Sequence, residues 1–281
     1  MHTAFKGKLA WITGASSGIG EALAYELSKA GARLILSARD GVKMEQVKEN
    51  CANKQEVYIL PLDLRSHNLE EKVLFVVKEY GVVDYMFHNA GMAARDTVEV
   101  TDLEVYKTIM QTNFFGPVAI TKALLPYCIK RKSGHFVVVS SLSGKYGVPK
   151  LSAYAASKHA LHGFFDSLRA EVKKSGINVT IVIPGFINTG IIKNSIDGRG
   201  MAKGENMKVN EKGMSPQHCA MQILKAVAAN KREVLIGGME IWSVYINRFF
   251  PGLFSRIIRN RPVKKLRSVR KVIMKLGKGD R

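Results

Sequence analysis

Tyr154 and Lys158 lie four residues apart and are the pair in this chain best suited to acid–base chemistry. On a helix, positions i and i+4 share one face. An ammonium buried beside a phenol favours the phenolate, so the Tyr154 pKa is expected to fall from its ordinary value of about 10 towards neutrality. A tyrosine tuned in this way gives or takes a proton near pH 7. Ser141, at the carboxyl end of an apolar run, can hydrogen-bond the same substrate oxygen. A YxxxK pair alone is more often a core tyrosine beside a snorkelling lysine, so the reading depends on what the rest of the chain brings to it.

The run FVVVSSL from Phe136 is β-branched and apolar, as in a strand buried on both faces. Gly144 to Pro149 interrupts it, and LSAYAASKHALHGFFDSLRAEV then reads as a helix. Tyr154, Lys158, Leu161, Phe165, Leu168 and Val172 share one face of that helix. At the amino terminus, KLAWITGASSGIGEALAYELSKAGARLILSAR reads as strand, glycine-rich turn, helix, strand. Gly14, Gly18 and Gly20 let backbone approach a diphosphate, and the following helix offers free N–H groups and the positive end of its dipole. Ser16 and Ser17 add donors.

The second strand ends in Ala38-Arg39, where an NAD-binding fold usually places an acid for the ribose hydroxyls. A small neutral residue followed by arginine favours a 2′-phosphate, hence NADP(H). EVYILPLDL is a third strand whose Asp63 is placed to meet the adenine ring, and VVDYMFHNAG a fourth ending in the small residues Asn89-Ala90-Gly91. The segment from Thr101 to Lys132 reads as one long helix capped near Thr101 or Asp102 and bent at Pro117. Proline has no N–H for the Asn113 carbonyl, which is then free to hold a water linking Lys158 to solvent. NVTIVIPGFINTG is a sixth strand running into the Pro184-Gly185 turn, with Thr189 able to bond a carboxamide. Gly190 to Gly213 has the weak polar pattern of a lid, and a capped helix and a last strand follow. This alternation specifies a doubly wound parallel α/β sheet of Rossmann type with helices on both faces, its ligand at the carboxyl ends of the strands.

Composition narrows the classes. No segment reaches the roughly 18 apolar residues of a membrane span, and the amino terminus has no signal-peptide core, so the expected compartment is the cytoplasm. Cys51, Cys128 and Cys219 form neither a disulfide framework nor a zinc pattern. His159 and His162 have no carboxylate or cysteine partner at metal-ligand spacing, and no metal site is expected. The net charge is +20, and from Glu240 to Arg281 twelve Lys or Arg face two acids, so half the excess lies in the last 42 residues. This suggests a catalytic unit over 1–239 and a basic appendage over 240–281.

With these residues in hand, the chain from about Lys8 to Gly238 resembles the short-chain dehydrogenase/reductase family. The resemblance rests on TGASSGIG at 13 to 20 (which includes Ile19), Asp63-Leu64, Asn89-Ala90-Gly91, Asn113, Ser141, YAASK at 154 to 158 and PGFINT at 184 to 189. It implies a catalytic tetrad. Tyr154 is acid or base, Ser141 orients the carbonyl, Lys158 lowers the tyrosine pKa and holds the nicotinamide ribose, and Asn113 maintains the relay water. His88 departs from the family's NNAG motif but touches none of these roles. NFFGPVAITKALLP, SAYAASKHAL and PGLFSRIIRNRP look most like the dehydrogenase/reductase member-seven group. Relatives of that group include reductases of acyl-dihydroxyacetone phosphate and of 3-ketosphinganine.

Pro251 and Pro262 divide the appendage into short helices. In the last, Val263, Leu266, Val269, Ile273 and Leu276 line one face amid cations, as in a helix lying on an anionic membrane surface. The same apolar face could cap the substrate cleft or pair subunits. No recognised nucleic-acid module accompanies the charge. Small residues Ala153, Ala156, Ala160 and Gly163 would let helices of a second subunit approach, giving a dimer or tetramer. The expected activity is NADPH-dependent reduction of a ketone on a lipid-like substrate. Oxidation of a steroid or other apolar alcohol would use the same residues, whereas a non-catalytic nucleotide-binding membrane scaffold is disfavoured because all four reactive positions are filled.

Overall fold

The computed structural model describes residues 2–191, 194–202 and 213–260. A short helix α1 (His2–Phe5) precedes β1 (Leu9–Thr13), α2 (Gly18–Lys29), β2 (Arg33–Ser37), α3 (Gly41–Glu49), β3 (Val57–Ile59), α4 (Leu69–Tyr80) and β4 (Tyr85–His88). Then come α5 (Leu103–Met110), α6 (Gly116–Arg131), β5 (Gly134–Val139), α7 (Ser152–Glu171), β6 (Ile177–Pro184), α8 (Pro216–Ala228), β7 (Glu233–Ile236), α9 (Trp242–Phe249) and α10 (Pro251–Asn260). The seven strands form one sheet in the order β3-β2-β1-β4-β5-β6-β7, every neighbouring pair parallel. The order reverses between β1 and β4, so the loops leaving these two strands part and leave a crevice at their carboxyl ends.

Alternation along the strands explains how one sheet supports two cores. Ala10 and Ile12 of β1 join a cluster with Leu23, Leu27, Ile223 and Leu224 of α2 and α8. Leu9 and Trp11 point the other way, among Val73, Val76, Ile120, Leu124, Leu161 and Phe165 of α4, α6 and α7. The indole of Trp11, fully buried, keeps its polar atom satisfied by donating to Ser37 Oγ at 2.9 Å. Burying one such large side chain contributes about 1.5–3 kcal/mol, so the apolar stripe of α7 is what fixes Tyr154 and Lys158 against the sheet. Leu161, Phe165, Leu168 and Val172 of that stripe are all buried.

The expected single helix from Thr101 to Lys132 is instead two α-helices joined by a π turn over Gln111–Phe115. The turn lies immediately before Gly116-Pro117, where a missing N–H and the bulk of the ring disfavour regular i to i+4 bonding. Asp102 is the residue before α5, and its side chain makes no cap bond; its N–H donates to Gly198 O at 2.8 Å. Part of the Gly190–Gly213 segment is tied down: Arg95 N–H donates to Ile196 O, and Ile196 N–H donates to Ala93 O. Positions 192–193 and 203–212 lie outside the described residues, as does the amphipathic helix expected from Val263 to Leu276. Ala156 and Gly163 are exposed on α7, but Ala153 is buried against Ala94, Val105 and Ile109, so it does not belong to an outward small-residue face.

Candidate active site

A cleft of about 1660 Å³ opens at the carboxyl ends of the strands. Ligand pockets are typically about 300–1,000 Å³, so this one has room for two molecules end to end. Its walls include Gly14, Ser16, Ser17, Gly18, Ile19, Arg39, Asp63, Leu64, Asn89, Ala90, Gly91, Ser141, Tyr154, Lys158, Pro184, Gly185 and Thr189. Every site residue expected from the sequence lines it except Gly20 and Asn113, which stand one layer behind.

The glycine turn is built as a cradle. Gly14 has φ +67°, and a Cβ there would sit 2.7 Å from Ala90 Cα, so the turn after β1 and the loop after β4 can touch only as backbone. Gly18 has φ +61° and packs on the methyl of Thr189, bringing the loop after β6 across to the same turn. Ser17 precedes α2 in extended conformation and makes no side-chain cap bond. The first N–H groups of α2 and two serines therefore face a space that only backbone and small atoms border, the donor set that a diphosphate requires. Thr13 was not singled out from the sequence. Its hydroxyl donates to Phe87 O and accepts from the N–H groups of Asn89 and Ala90, each at 3.2 Å, and so pins the crossing.

At the end of β2 the Arg39 side chain is exposed on the cleft wall. The neighbouring Asp40 is not free to take a ribose: it caps α3 by accepting from Lys43 N at 3.1 Å and pairs with Lys43 Nζ at 3.3 Å. These contacts hold the Asp40 carboxyl below its ordinary range. Asp63 is likewise engaged, accepting from Arg65 Nη2 at 2.6 Å, and Arg65 with the more distant Arg39 keeps it ionised. The rim beyond the adenine end therefore carries Arg39, Lys43 and Arg65, of which sequence reasoning had named only the first.

The reactive end is assembled from four elements. Ser141 follows β5; its Oγ accepts from Ser143 N at 3.1 Å, fixing the hydroxyl over a single 3₁₀ turn. Asn113 lies in the π turn, fully buried, and its side chain is a latch: Oδ1 accepts from Met92 N, while Nδ2 donates to Met92 O and to Ser157 Oγ, all at 2.9 Å. Ser157 in turn donates its hydroxyl proton to Tyr154 O at 2.8 Å while accepting from Asn113. Ser157 is invisible in a motif read only for its tyrosine and lysine. Lys158 Nζ donates to Val139 O at 2.8 Å and stands 5.7 Å from the centre of the Tyr154 ring.

The expected fall of the Tyr154 pKa is not what this geometry gives. Burial penalises the phenolate and raises the phenol above its ordinary 10, with the Ser141 hydroxyl pulling the other way. Burial also lowers Lys158 to about 8. Both groups are nearly inaccessible, and desolvation of the charged form is the leading cause of each shift. The phenol is therefore held protonated. His88, the departure from the family motif, ends β4 with its Nε2 2.8 Å from Thr121 Oγ1 and its ring stacked near Phe136, and burial lowers it to about 3.

Two loops at the reactive end are fastened by residues beyond β7. Glu240 Oε1 accepts from Phe186 N at 2.9 Å and from Gly238 N at 3.0 Å, and a Cβ at Gly185 would run into that carboxylate. Ser243 Oγ lies 2.7 Å from the Tyr146 hydroxyl, and Phe254 packs edge-on against the Tyr146 ring at 4.6 Å. Glu240, Ser243, Phe254, Ile257 and Ile258 thereby become walls of the cleft. Among the described residues no group of three or more His, Cys, Asp or Glu is placed to hold a metal ion, and no helix is long and apolar enough to cross a membrane.

Comparison with known proteins agrees with this geometry. The family model for short chain dehydrogenase matches residues 8–200. A Drosophila melanogaster protein, "Dehydrogenase/reductase SDR family protein 7-like", is 40% identical over 265 residues, covering 92% of this chain and 81% of the relative. "Dehydrogenase/reductase SDR family member 7B" of Danio rerio is 37% identical over 267 residues, covering 92% of this chain and 86% of the relative. Among solved structures, a short-chain dehydrogenase from Streptomyces avermitilis superposes with TM-score 0.76 at 27% identity, over 90% of this chain and 99% of that one. A metagenomic short-chain oxidoreductase in complex with NADP gives 0.69 at 26% identity, over 83% and 97%.

Proposed function

The chain belongs to the short-chain dehydrogenase family, and from that premise we propose that it is an NADPH-dependent reductase of a ketone carried on a lipid-like molecule. The observation that carries the reading is the placement of Ser141, Tyr154 and Lys158 on the wall of the same cleft as the glycine cradle, together with the apolar side chains of Phe186, Phe254, Ile257 and Ile258. Reduction needs a proton donor, and the Tyr154 phenol, protonated at neutral pH and beside Ser141, can supply one to the carbonyl oxygen. Arg39, with Asp40 committed to Lys43, supports a 2′-phosphate over a bare ribose.

NADPH, when bound, supplies the hydride to the carbonyl carbon. As the C=O π electrons move onto oxygen, Tyr154 donates its phenolic proton there and Ser141 hydrogen-bonds the same oxygen. The resulting phenolate is stabilised by protonated Lys158, which also supplies the replacement proton and is itself recharged from solvent. Asn113 acts through others: its side chain latches Met92 to Ser157, so the turn after β4 and the helix bearing Tyr154 keep their spacing. Tyr146, Val148, Phe186, Phe254, Ile257 and Ile258 give the substrate end of the cleft its apolar lining. The residues over 1–239 form the catalytic unit, and those over 240–260 wall the cleft.

The test is a panel of ketones with short and long acyl chains offered to the purified protein with NADPH or NADH. NADPH oxidation that rises with acyl-chain length supports the reading. Turnover confined to alcohols with NADP⁺ would assign the oxidative direction, and a preference for NADH would remove the 2′-phosphate argument.

A further inference from the structure

A surface helix ordinarily buries one stripe and turns polar groups outward. The pair α9 and α10 does not. Its inner side carries Ser243, Ile246 and Phe254 into the protein and walls the cleft through Phe254, Ile257 and Ile258. Its outer side shows Trp242 at 50% exposure, Tyr245 at 45%, Phe249 at 69%, Phe250 at 60% and Leu253 at 40%. Exposed apolar side chains gathered in one short stretch mark an interaction surface, whereas scattered ones need no explanation. From Ile241 to Asn260 the only charged residues are Arg248, Arg256 and Arg259, all exposed and without an acid among them. The chain that follows, from Arg261, adds nine cations and one acid. It has the same sign as the patch and cannot neutralise it.

We propose that the outer face of α9 and α10 docks on an anionic bilayer, so that one helix pair serves as both membrane footing and cleft wall and an apolar substrate enters from the lipid side. Aromatic and aliphatic side chains enter the interface while the arginines meet anionic headgroups. The docking itself needs no catalysis; only the identity of what enters rests on the function proposed above.

The chain carries its own reporter. Of its two tryptophans, Trp11 is fully buried and Trp242 is on the docking face. The unmodified protein is titrated with vesicles of phosphatidylcholine, with and without phosphatidylserine, bearing brominated acyl chains. Docking predicts a blue-shifted Trp242 emission quenched by the anionic vesicles, reversal by salt, and little change with neutral ones. A Phe249→Ser/Phe250→Ser variant, which leaves the cleft lining intact, should partition about tenfold or more weakly while keeping its NADPH affinity. Should that variant unfold, the quenching of the unmodified chain decides alone. Cosedimentation with Trp242 unquenched would place the attachment elsewhere and overturn the proposal, as would absence of binding. So would a variant that changes from dimer to monomer with unchanged partition, because the face would then lie between subunits. None of these readings needs turnover, so a failure to reduce ketones counts against the proposed function and leaves the docking result standing.

Discussion

At the scale of single residues, the site contains one inversion of what spacing alone suggests. A spacing of four positions from Tyr154 to Lys158 predicts an acidic phenol, but the atoms around them are protein on nearly every side, and a sequence does not display desolvation. The outcome is a protonated acid beside a lysine brought down to about 8. The cofactor end is simpler, because charge there is exposed and reads directly from the residue types. Arg39→Asp should raise KM for NADPH by roughly ten- to a hundredfold through loss of a charge-assisted bond and gain of repulsion, with KM for NADH changed little. Steady-state kinetics with both nucleotides measures this, and equal shifts would show that Arg39 does not face a 2′-phosphate.

At the scale of elements, periodicity made most of the molecule legible. All seven strands and the long catalytic helix follow from runs such as FVVVSS and the i, i+4, i+7 stripe of α7, because each buries a face that the pattern records. What it missed are contacts between distant segments with no local signature. Ser157 behind Asn113, Thr13 under the β4 loop and Glu240 under the β6 loop act through hydrogen bonds across 44, 76 and 54 residues of chain. Pro117 foretold a break in its helix, but not that the break would take the form of a π turn. Glu240 offers a test of this kind of positioning. Glu240→Ala leaves the N–H groups of Phe186 and Gly238 without their partner, so unfolding free energy should fall by about 1–3 kcal/mol and KM for NADPH should rise severalfold. Glu240→Gln keeps a carbonyl acceptor and should recover most of both. Urea titration and cofactor kinetics check this, and identical behaviour of the two variants would mean that the carboxylate does not brace the loop.

At the scale of the whole molecule, charge and burial set the pH range in which the fold holds. Burial lowers His88 to about 3 and His135 to about 4. In the folded chain each stays neutral, while the unfolded chain binds protons below the ordinary 6.5. Stability is therefore full above that value and falls as pH drops towards the folded pKa values. The loss is on the order of 3 kcal/mol or more per histidine by the time the folded value is reached. Denaturation midpoints should fall steeply between pH 6.5 and 4, and His88→Asn should flatten that slope; a flat profile in the parent would show these imidazoles to be solvated. Of the positive excess after Glu240, Arg248, Arg256 and Arg259 lie on the α9–α10 pair whose inner side walls the cleft. The reaction proposed at the cleft depends on Tyr154 as the proton donor, and single-turnover NADPH oxidation with a reducible long-chain ketone, run on the parent chain and on Tyr154→Phe, tests it most directly. Loss of rate by about 10²–10⁴ with cofactor affinity unchanged is the predicted result, and a variant that reduces the ketone at the parent rate would contradict it.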